Sequence, residues 1–444
     1  MNPTSPLKGL GTLLLAAFLP AFAHADSAPI AAAVTAAAPK IDSGNTAWVM
    51  VSTALVLLMT PGLALFYGGM VRKKNVLSTM MHSFFMMGLI SIQWVLVGYS
   101  FAFGAGSSLG GYLGGLGFVG LNGVGAAPHP VLGTTIPQLV FMAYQMMFAV
   151  ITVALISGAV ADRIKFSSFV IFALLWTTFV YDPVCRWVWN PEGFLFKKGA
   201  LDFAGGTVVH IISGVSGLTA CLLLGKRKGH GSENMLPHNM TYVLLGTGLL
   251  WFGWFGFNGG SALAADGLAA LALVNTNTAA AAAALTWSAI EWGRNGRPSA
   301  LGFASGAVAG LVVITPAAGF VTPMSAILMG ILVSLVCFTA VFLKEHLGYD
   351  DSLDAFGVHG IGGTLGAILT GVFATPVANA AVTVTGWPLV KIQLEAVAYS
   401  WSIAIVGTTV LLGAVHFLLG GRVTSRDEEL GLDLTQHSEA GYEI

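Results

Sequence analysis

Long apolar intervals without a single charged residue recur along the chain. Ser43 to Val71 is one, and Asn75 to Ala161 holds two, separated by a Gly/Pro-rich stretch from Gly104 to Gly133. Further intervals are Phe166 to Tyr181, Phe203 to Gly225, Asn234 to Ala265, Gly267 to Ile290, Pro298 to Leu343 with a break between Pro316 and Pro323, Ala355 to Val390, and Ala396 to Gly421. A helix needs about 20 apolar residues to cross a bilayer, so these intervals predict eleven transmembrane helices. An odd number of crossings places the two ends of the bundle on opposite sides of the lipid bilayer.

The first residues are set apart from that count. Lys8 precedes an apolar run from Leu10 to Phe22, and Ala23-His24-Ala25 has the small-x-small form of a cleavage site, so residues 1–25 read as a secretory signal peptide. The run is too short for a crossing. Residues 26–42 are then an exported lead-in, 43–421 the eleven-helix body and 422–444 a cytoplasmic regulatory tail. The basic residues test this orientation. Arg72, Lys73, Lys74, Arg163, Lys165, Lys226, Arg227, Lys228, Arg294, Arg297, Lys344, Arg422 and Arg426 fall on predicted cytoplasmic segments, against Lys40, Arg186, Lys197, Lys198 and Lys391 outside. That imbalance obeys the positive-inside rule. The expected location is a bacterial inner membrane, with the N-terminus periplasmic and the tail cytoplasmic.

Composition narrows the class. Only 9% of the 444 residues are charged, against about 25% in soluble domains, which excludes an ordinary soluble protein. The formal net charge of -1 offers no basic surplus to attract a phosphate backbone, so nucleic acid is not an expected partner. The 57 glycines are spread through apolar stretches without a three-residue repeat, which removes collagen and linker readings. Cys185, Cys221 and Cys337 form no paired framework, and no metal cage, thiol nucleophile or cofactor is implied.

Helices one to five and six to ten form two halves, and because five is odd the second half is inserted upside down, the inverted-repeat plan of many transporters. The fold expected is therefore all-α and polytopic: two inverted five-helix repeats plus a final helix. Each half offers one intramembrane histidine on a Gly-rich helix. Asp202 precedes His210 by eight residues in the fifth span, and Asp354 precedes His359 by five in the tenth. Ionisable side chains inside a membrane are costly and face a cavity or the bundle interior. A neutral imidazole donates and accepts, so a facing pair can share one N–H and serve a small polar solute. At 1.5 Å per residue the helical ruler leaves the two rings at unequal depths, unless the fifth span starts earlier or the loop before Ala355 dips inward. His82, His416, Gln93 and Gln145 read as packing or interhelical hydrogen-bonding residues. Asp202 is expected to cap the fifth helix, and a fixed anion there also suits a waiting cation. Trp189 falls in the loop after the fourth span. Phe257 and Ser261 lie four apart, on one helix face, where ring and hydroxyl can serve a cation site.

Four segments in order, Pro61–Val76 (PGLALFYGGMVRKKNV), Asp202–His210 (DFAGGTVVH), Gly253–Ser261 (GWFGFNGGS) and Asp354–Gly363 (DAFGVHGIGG), resemble the ammonium transporter family, the Amt/Mep/Rh group. The resemblance runs from the first span to the tail. It implies a homotrimer of eleven-helix protomers, each with its own pore for ammonium and methylammonium. It also implies an outer cation site on Trp189, Phe148 and Ser261, with Trp187 the alternative to Trp189 on spacing. The family's phenyl gate falls on Phe148 and Phe257, its twin pore histidines on His210 and His359, and its essential acidic residue on Asp202. Tyr144 stands where the family often has Phe, so its hydroxyl is expected to bear on selectivity among amines. Glu429-Leu430-Gly431-Leu432-Asp433 resembles the cytoplasmic segment at which a PII-type signal protein closes family members.

Transport is preferred over two rivals within that resemblance, an ammonium sensor and an Rh-like neutral gas channel. The 23 residues after Gly421 are short for a signalling domain, and the Trp189 and Ser261 cation site argues against a neutral gas. An intramembrane enzyme would need a nucleophile or metal set, and no such motif is present.

Overall fold

The computed structural model describes residues 40–442. The signal peptide expected at 1–25, and all of the lead-in before Lys40, lie outside the described residues. Eleven apolar helices form the body: α1 (Ser43–Met70), α2 (Lys73–Phe103), α3 (Gln138–Val160), α4 (Phe166–Lys198), α5 (Gly206–Leu224), α6 (Met240–Ala262), α7 (Gly267–Asn295), α8 (Ala300–Ile314), α9 (Pro323–Leu347), α10 (Phe356–Phe373) and α11 (Trp387–Leu419). Ten are long and apolar enough to cross a membrane. The exception is α8, whose 15 residues extend only about 22 Å; it ends in turns before Thr322 caps α9 and Pro323 opens it. Between α2 and α3 the expected Gly/Pro-rich stretch forms a loop with one small hairpin, β1 (Ser107–Ser108) against β2 (Leu113–Gly114).

Several boundaries differ from the charge-free intervals, and three of them show why. The fourth interval stops at Asp182, but α4 continues, because Asp182 is hydrogen-bonded to Gln93 and Arg186 is absorbed by the carbonyls of Gly104 and Gly106 and by Glu192. Charges met inside the bundle do not end a helix. α5 begins at Gly206 rather than Phe203. α11 begins at Trp387, well before Ala396: Gly386 turns the chain at φ 67° and Pro388 sits in the first helical turn, where its missing N–H costs no hydrogen bond.

Glycines let the two halves approach. A Cβ on Gly246 of α6 would lie 2.4 Å from the Phe66 amide nitrogen of α1, and one on Gly214 of α5 would lie 2.1 Å from the Gly360 nitrogen of α10. No side chain fits either place. The second contact brings the two histidine-bearing helices together.

The face of the bundle opposite the α2–α3 loop carries an ionic network and the tail. Asp350 accepts from the Arg227 guanidinium at 2.8 Å and 3.0 Å, and the Arg163 guanidinium donates to the Asp350 carbonyl. Burial would push the Asp350 carboxyl up, but its hydrogen bonds and charge pairing with Arg227, helped by Arg163, outweigh that and hold it well below the usual carboxylate range. The tail forms two short helices, α12 (Ser425–Leu430) and α13 (Leu432–His437). They dock on the body: Asp433 accepts from the Ser78 N–H at 2.8 Å, and Glu428 accepts from the Lys228 N–H at 2.9 Å. All three cysteines are free and buried.

Candidate functional site

α5 and α10 each begin deep within the bundle. The segments leading to them are buried, including Ala204 and Asp202 before α5 and Asp350, Asp351 and Ala355 before α10. Each helix then opens with a π-helical turn, Gly206–Ile211 and Phe356–Gly360, and a histidine stands in each turn. This dipping of both connections brings together two rings that the helical ruler left at unequal depths.

The capping of the two turns follows one plan, with more donors gathered in the first half, and the comparison corrects one expected pairing. Asp202 Oδ1 accepts from the N–H groups of Gly205 at 2.7 Å and Gly206 at 2.6 Å, while Oδ2 accepts from the Thr207 N–H at 2.8 Å and from the Thr207 hydroxyl. In the second half that place belongs to Asp351, not Asp354: Asp351 accepts from Ala355 N–H at 3.1 Å and Phe356 N–H at 2.7 Å. Asp351 precedes His359 by eight residues, as Asp202 precedes His210. Three residues after each aspartate the backbone turns left-handed, at Gly205 (φ 120°) and at Asp354 (φ 59°), and the Asp354 carboxylate is paired with Lys344. Burial raises the Asp202 carboxyl above its ordinary value, and the bonds from Thr207, Gly205 and Gly206 pull against that rise.

His210 and His359 meet with Nδ1 atoms 3.3 Å apart and ring centroids 5.3 Å apart at 27°. One Nδ1 donates and the other accepts, so the contact holds a single proton. It follows that one ring offers an Nε2 lone pair and the other an Nε2–H, giving the pair a direction. His210 Nε2 is buried and has no partner among the described residues. Trp254 stacks on the His210 ring at 5.4 Å and 23°, held by its own bond to Thr315. Otherwise the surroundings are apolar: a cavity of about 10 Å³ beside the rings is lined by Leu63, Ile151, Val209, Leu250, Phe257 and others.

On the side toward the α2–α3 loop, Phe148 of α3 and Phe257 of α6 close the path, their centroids 4.3 Å apart at 36°, both essentially without exposure. Beyond them lies a cavity of about 110 Å³ whose lining includes Phe148, Trp189, Ser261, Gln145 and Phe141. Trp189 ends the helical turn Asp182–Trp189 and stands edge-on to Phe148 at 5.6 Å. Its indole N–H donates to the Asp202 carbonyl at 2.8 Å, which ties this ring to the cap of the histidine helix. Trp187 points elsewhere, donating to Tyr112 O and packing on the Tyr112 ring. The Asp202 carboxylate does not line the cavity; its oxygens are taken up by the α5 turn.

Tyr144 does not present its hydroxyl to the cavity. That oxygen is fully buried, 2.8 Å from the carbonyls of both Gly256 and Phe257 and 3.2 Å from Ser261 Oγ. Among the polar residues assigned to packing, Gln93 does bridge helices, whereas Gln145 lies at the cavity. His82 packs on Phe169 and Phe166, and His416 accepts from the Gly421 N–H. Trp254 and Asp351 were not singled out from the sequence. The eight-residue spacing would have found Asp351, and its place three residues before Phe257 would have marked Trp254.

Comparison with known proteins gives one consistent answer. Residues 47–442 match the family described as the Ammonium Transporter Family. An ammonium transporter of Bacillus subtilis is 52% identical over 405 residues, covering 90% of this chain and 98% of that protein. The crystal structure of Saccharomyces cerevisiae Mep2 superposes with a TM-score of 0.84 at 40% identity, covering 91% of this chain and 92% of that one. A structure named Sensor Amt Protein superposes with a TM-score of 0.82 at 30% identity, over 89% of this chain and 98% of that one.

Proposed function

The chain belongs to the ammonium transporter family, a family of membrane transporters rather than enzymes, and on that premise we propose that it recruits ammonium at the Trp189 cavity, deprotonates it there, and conducts ammonia past the histidine pair, the proton either returning to the water on the entry side or crossing separately. The observation that carries the reading is the histidine contact at 3.3 Å behind a closed phenyl gate. A cation entering so apolar a space loses its hydration, at a cost of several kcal/mol or more. Ammonia loses only hydrogen bonds, and the directed Nε2 lone pair and Nε2–H can replace some of them. Potassium has no proton to give up and is excluded.

Trp189 and Phe148 supply aromatic faces and Ser261 an oxygen, a cation–π site worth roughly 0.5 to 2 kcal/mol. Methylammonium is a second substrate. Asp202 acts by holding the α5 turn and the Trp189 indole in register. In this reading the vestibule side faces the periplasm and the tail faces the cytoplasm, three copies assemble as a homotrimer, and a PII-type signal protein docks on the tail side.

The test is ammonium flux and ammonium-dependent current, with potassium as control, in liposomes containing the purified protein. Ammonium flux without potassium flux is the expected result, accompanied by current where the proton crosses and silent where it does not; no ammonium flux of any kind would remove the transport reading. A sensor is the second reading, drawn from the likeness to the Sensor Amt Protein and from a tail docked directly on the body. A sensor would bind ammonium in the same liposomes without sustained flux.

A further inference from the structure

Asp182 is an ionisable side chain fully buried in a membrane-spanning helix, and neither the pore nor the vestibule uses it. Its Oδ2 accepts from Gln93 Nε2 of α2 at 2.8 Å, while its Oδ1 is buried and has no partner among the described residues. Gln93 shows the complementary defect. Its Nε2 is committed, to Asp182 and at 3.2 Å to Thr178 Oγ1, while its Oε1 is buried and unpartnered. Two orphaned acceptors thus sit on two groups that one hydrogen bond already joins.

An ionised Asp182 would leave both acceptors unsatisfied and an anion inside the membrane. Among the described residues no cation pairs with it. Arg186, one turn further along α4, gives its guanidinium to Gly104 O, Gly106 O and Glu192. Besides Arg186, the titratable groups inside the helices around the pair are Tyr181 and Cys185 of α4, His82 and Tyr99 of α2, Tyr144 of α3 and Tyr399 of α11, none of them a fixed cation; Lys73 and Lys74 of α2, Glu192, Lys197 and Lys198 of α4 and Lys391, Glu395 and His416 of α11 stand toward the helix ends. A single proton removes every one of these costs. Placed on Asp182 Oδ1, it makes a neutral acid that donates to Gln93 Oε1 while Gln93 Nε2 donates back to Oδ2.

Both helices leave regular geometry at this pair. The α2 π-turn Trp94–Gly98 starts immediately after Gln93, and the α4 π-turn Thr177–Tyr181 ends immediately before Asp182. Such single π-turns inside α-helices occur frequently at functional sites.

We propose that Asp182 and Gln93 form a proton-binding site within the membrane, separate from the histidine pore, in which one bound proton closes a two-hydrogen-bond acid–amide ring between α2 and α4. Its ligand is the proton itself. Loss of that proton sets two acceptors against each other and loosens α4 from α2, and α4 carries Trp189 two turns further on. Asp182 is therefore a positioning residue for the vestibule, a consequence that rests on the function proposed above; the protonation itself does not.

Infrared spectroscopy of the purified full-length protein tests the proton directly. The carbonyl stretch of a protonated carboxyl, shifting in heavy water, is expected in the wild type and absent in Asp182→Asn, whose amide can form the same ring without a titratable proton. Gln93→Leu keeps the acid but removes its acceptor, so there the band should move to higher frequency; this variant also serves if Asp182→Asn does not fold. A carboxyl band unchanged in both variants overturns the proposal. Methylammonium uptake tests the positioning: the half-saturation concentration should rise toward alkaline pH in the wild type and stay level, relative to it, in Asp182→Asn. Parallel pH profiles with the infrared band lost would keep the proton site and overturn its link to Trp189.

Discussion

Replacing Asp202 by Asn separates a cap from a fixed charge. In the wild type each carboxylate oxygen accepts two close donors: Gly205 and Gly206 N–H on Oδ1, Thr207 N–H and hydroxyl on Oδ2. The amide keeps one accepting oxygen and turns an NH₂ toward the donors of the other. Two hydrogen bonds to a charged acceptor are lost, each worth roughly 1.5–3 kcal/mol, so the α5 turn should weaken by about 3–6 kcal/mol. At about 1.4 kcal/mol per factor of ten, amide exchange of the segment from Gly205 to His210 should quicken by roughly 10²–10⁴ if local opening governs it. The Trp189 indole hangs on the Asp202 carbonyl and His210 stands in the same turn, so methylammonium uptake should fall at every concentration. Hydrogen exchange read by mass spectrometry, alongside uptake in the same preparation, decides the matter. Wild-type exchange with a loss confined to low methylammonium would refute the cap and leave Asp202 as a distant charge.

Three further outcomes follow from the geometry. Trp189→Ala should raise the half-saturation concentration for methylammonium by about 2- to 30-fold, the equivalent of a cation–π contribution of 0.5–2 kcal/mol, Ser261→Ala should raise it through the loss of an oxygen ligand, and both should spare uptake at saturation; equal loss at all concentrations would point to folding. His210→Glu and His359→Glu put a carboxylate where a desolvated cation is least stable, so potassium flux should appear, while the Ala variants lower ammonium flux without a potassium leak; flux assays with both ions read this. Tyr144→Phe removes a hydroxyl already spent on the Gly256 and Phe257 carbonyls, so it should cost about 1 kcal/mol of stability in thermal unfolding and leave the ammonium to methylammonium preference unaltered.

Much of the architecture was legible because the bilayer imposes a length and a polarity on every crossing. The charge-free intervals located all eleven helices, and the break from Pro316 to Pro323 fell between α8 and α9 as read. The errors arose where a polar group is satisfied inside the bundle. In the sequence Asp182 marks an end to the fourth span because a charge usually meets water there; Gln93, its partner, lies 89 positions away, and a linear reading has no access to that pairing. Tyr144 is a second case: the carbonyls of Gly256 and Phe257 stand at its hydroxyl, partners 112 and 113 positions away that a linear reading does not see.

The histidine pair shows the other kind of limit. Residue type and the inverted repeat nominated His210 and His359, yet contact between them depends on where each helix begins in depth, which periodicity does not record. That depth is set by the two aspartates. Each gathers free amide N–H groups at the start of a helix, so the connection before it can run into the bundle without leaving those donors bare. Asp202 and Asp351 stand eight residues ahead of their histidines, each followed three residues later by a left-handed backbone, and the equality of the two offsets makes the rings meet. Asp354 obscured this in the sequence because it is the acidic residue nearer His359. Its carboxylate is turned to Lys344 instead, and its contribution to the cap is the backbone conformation that Gly205 supplies in the first half.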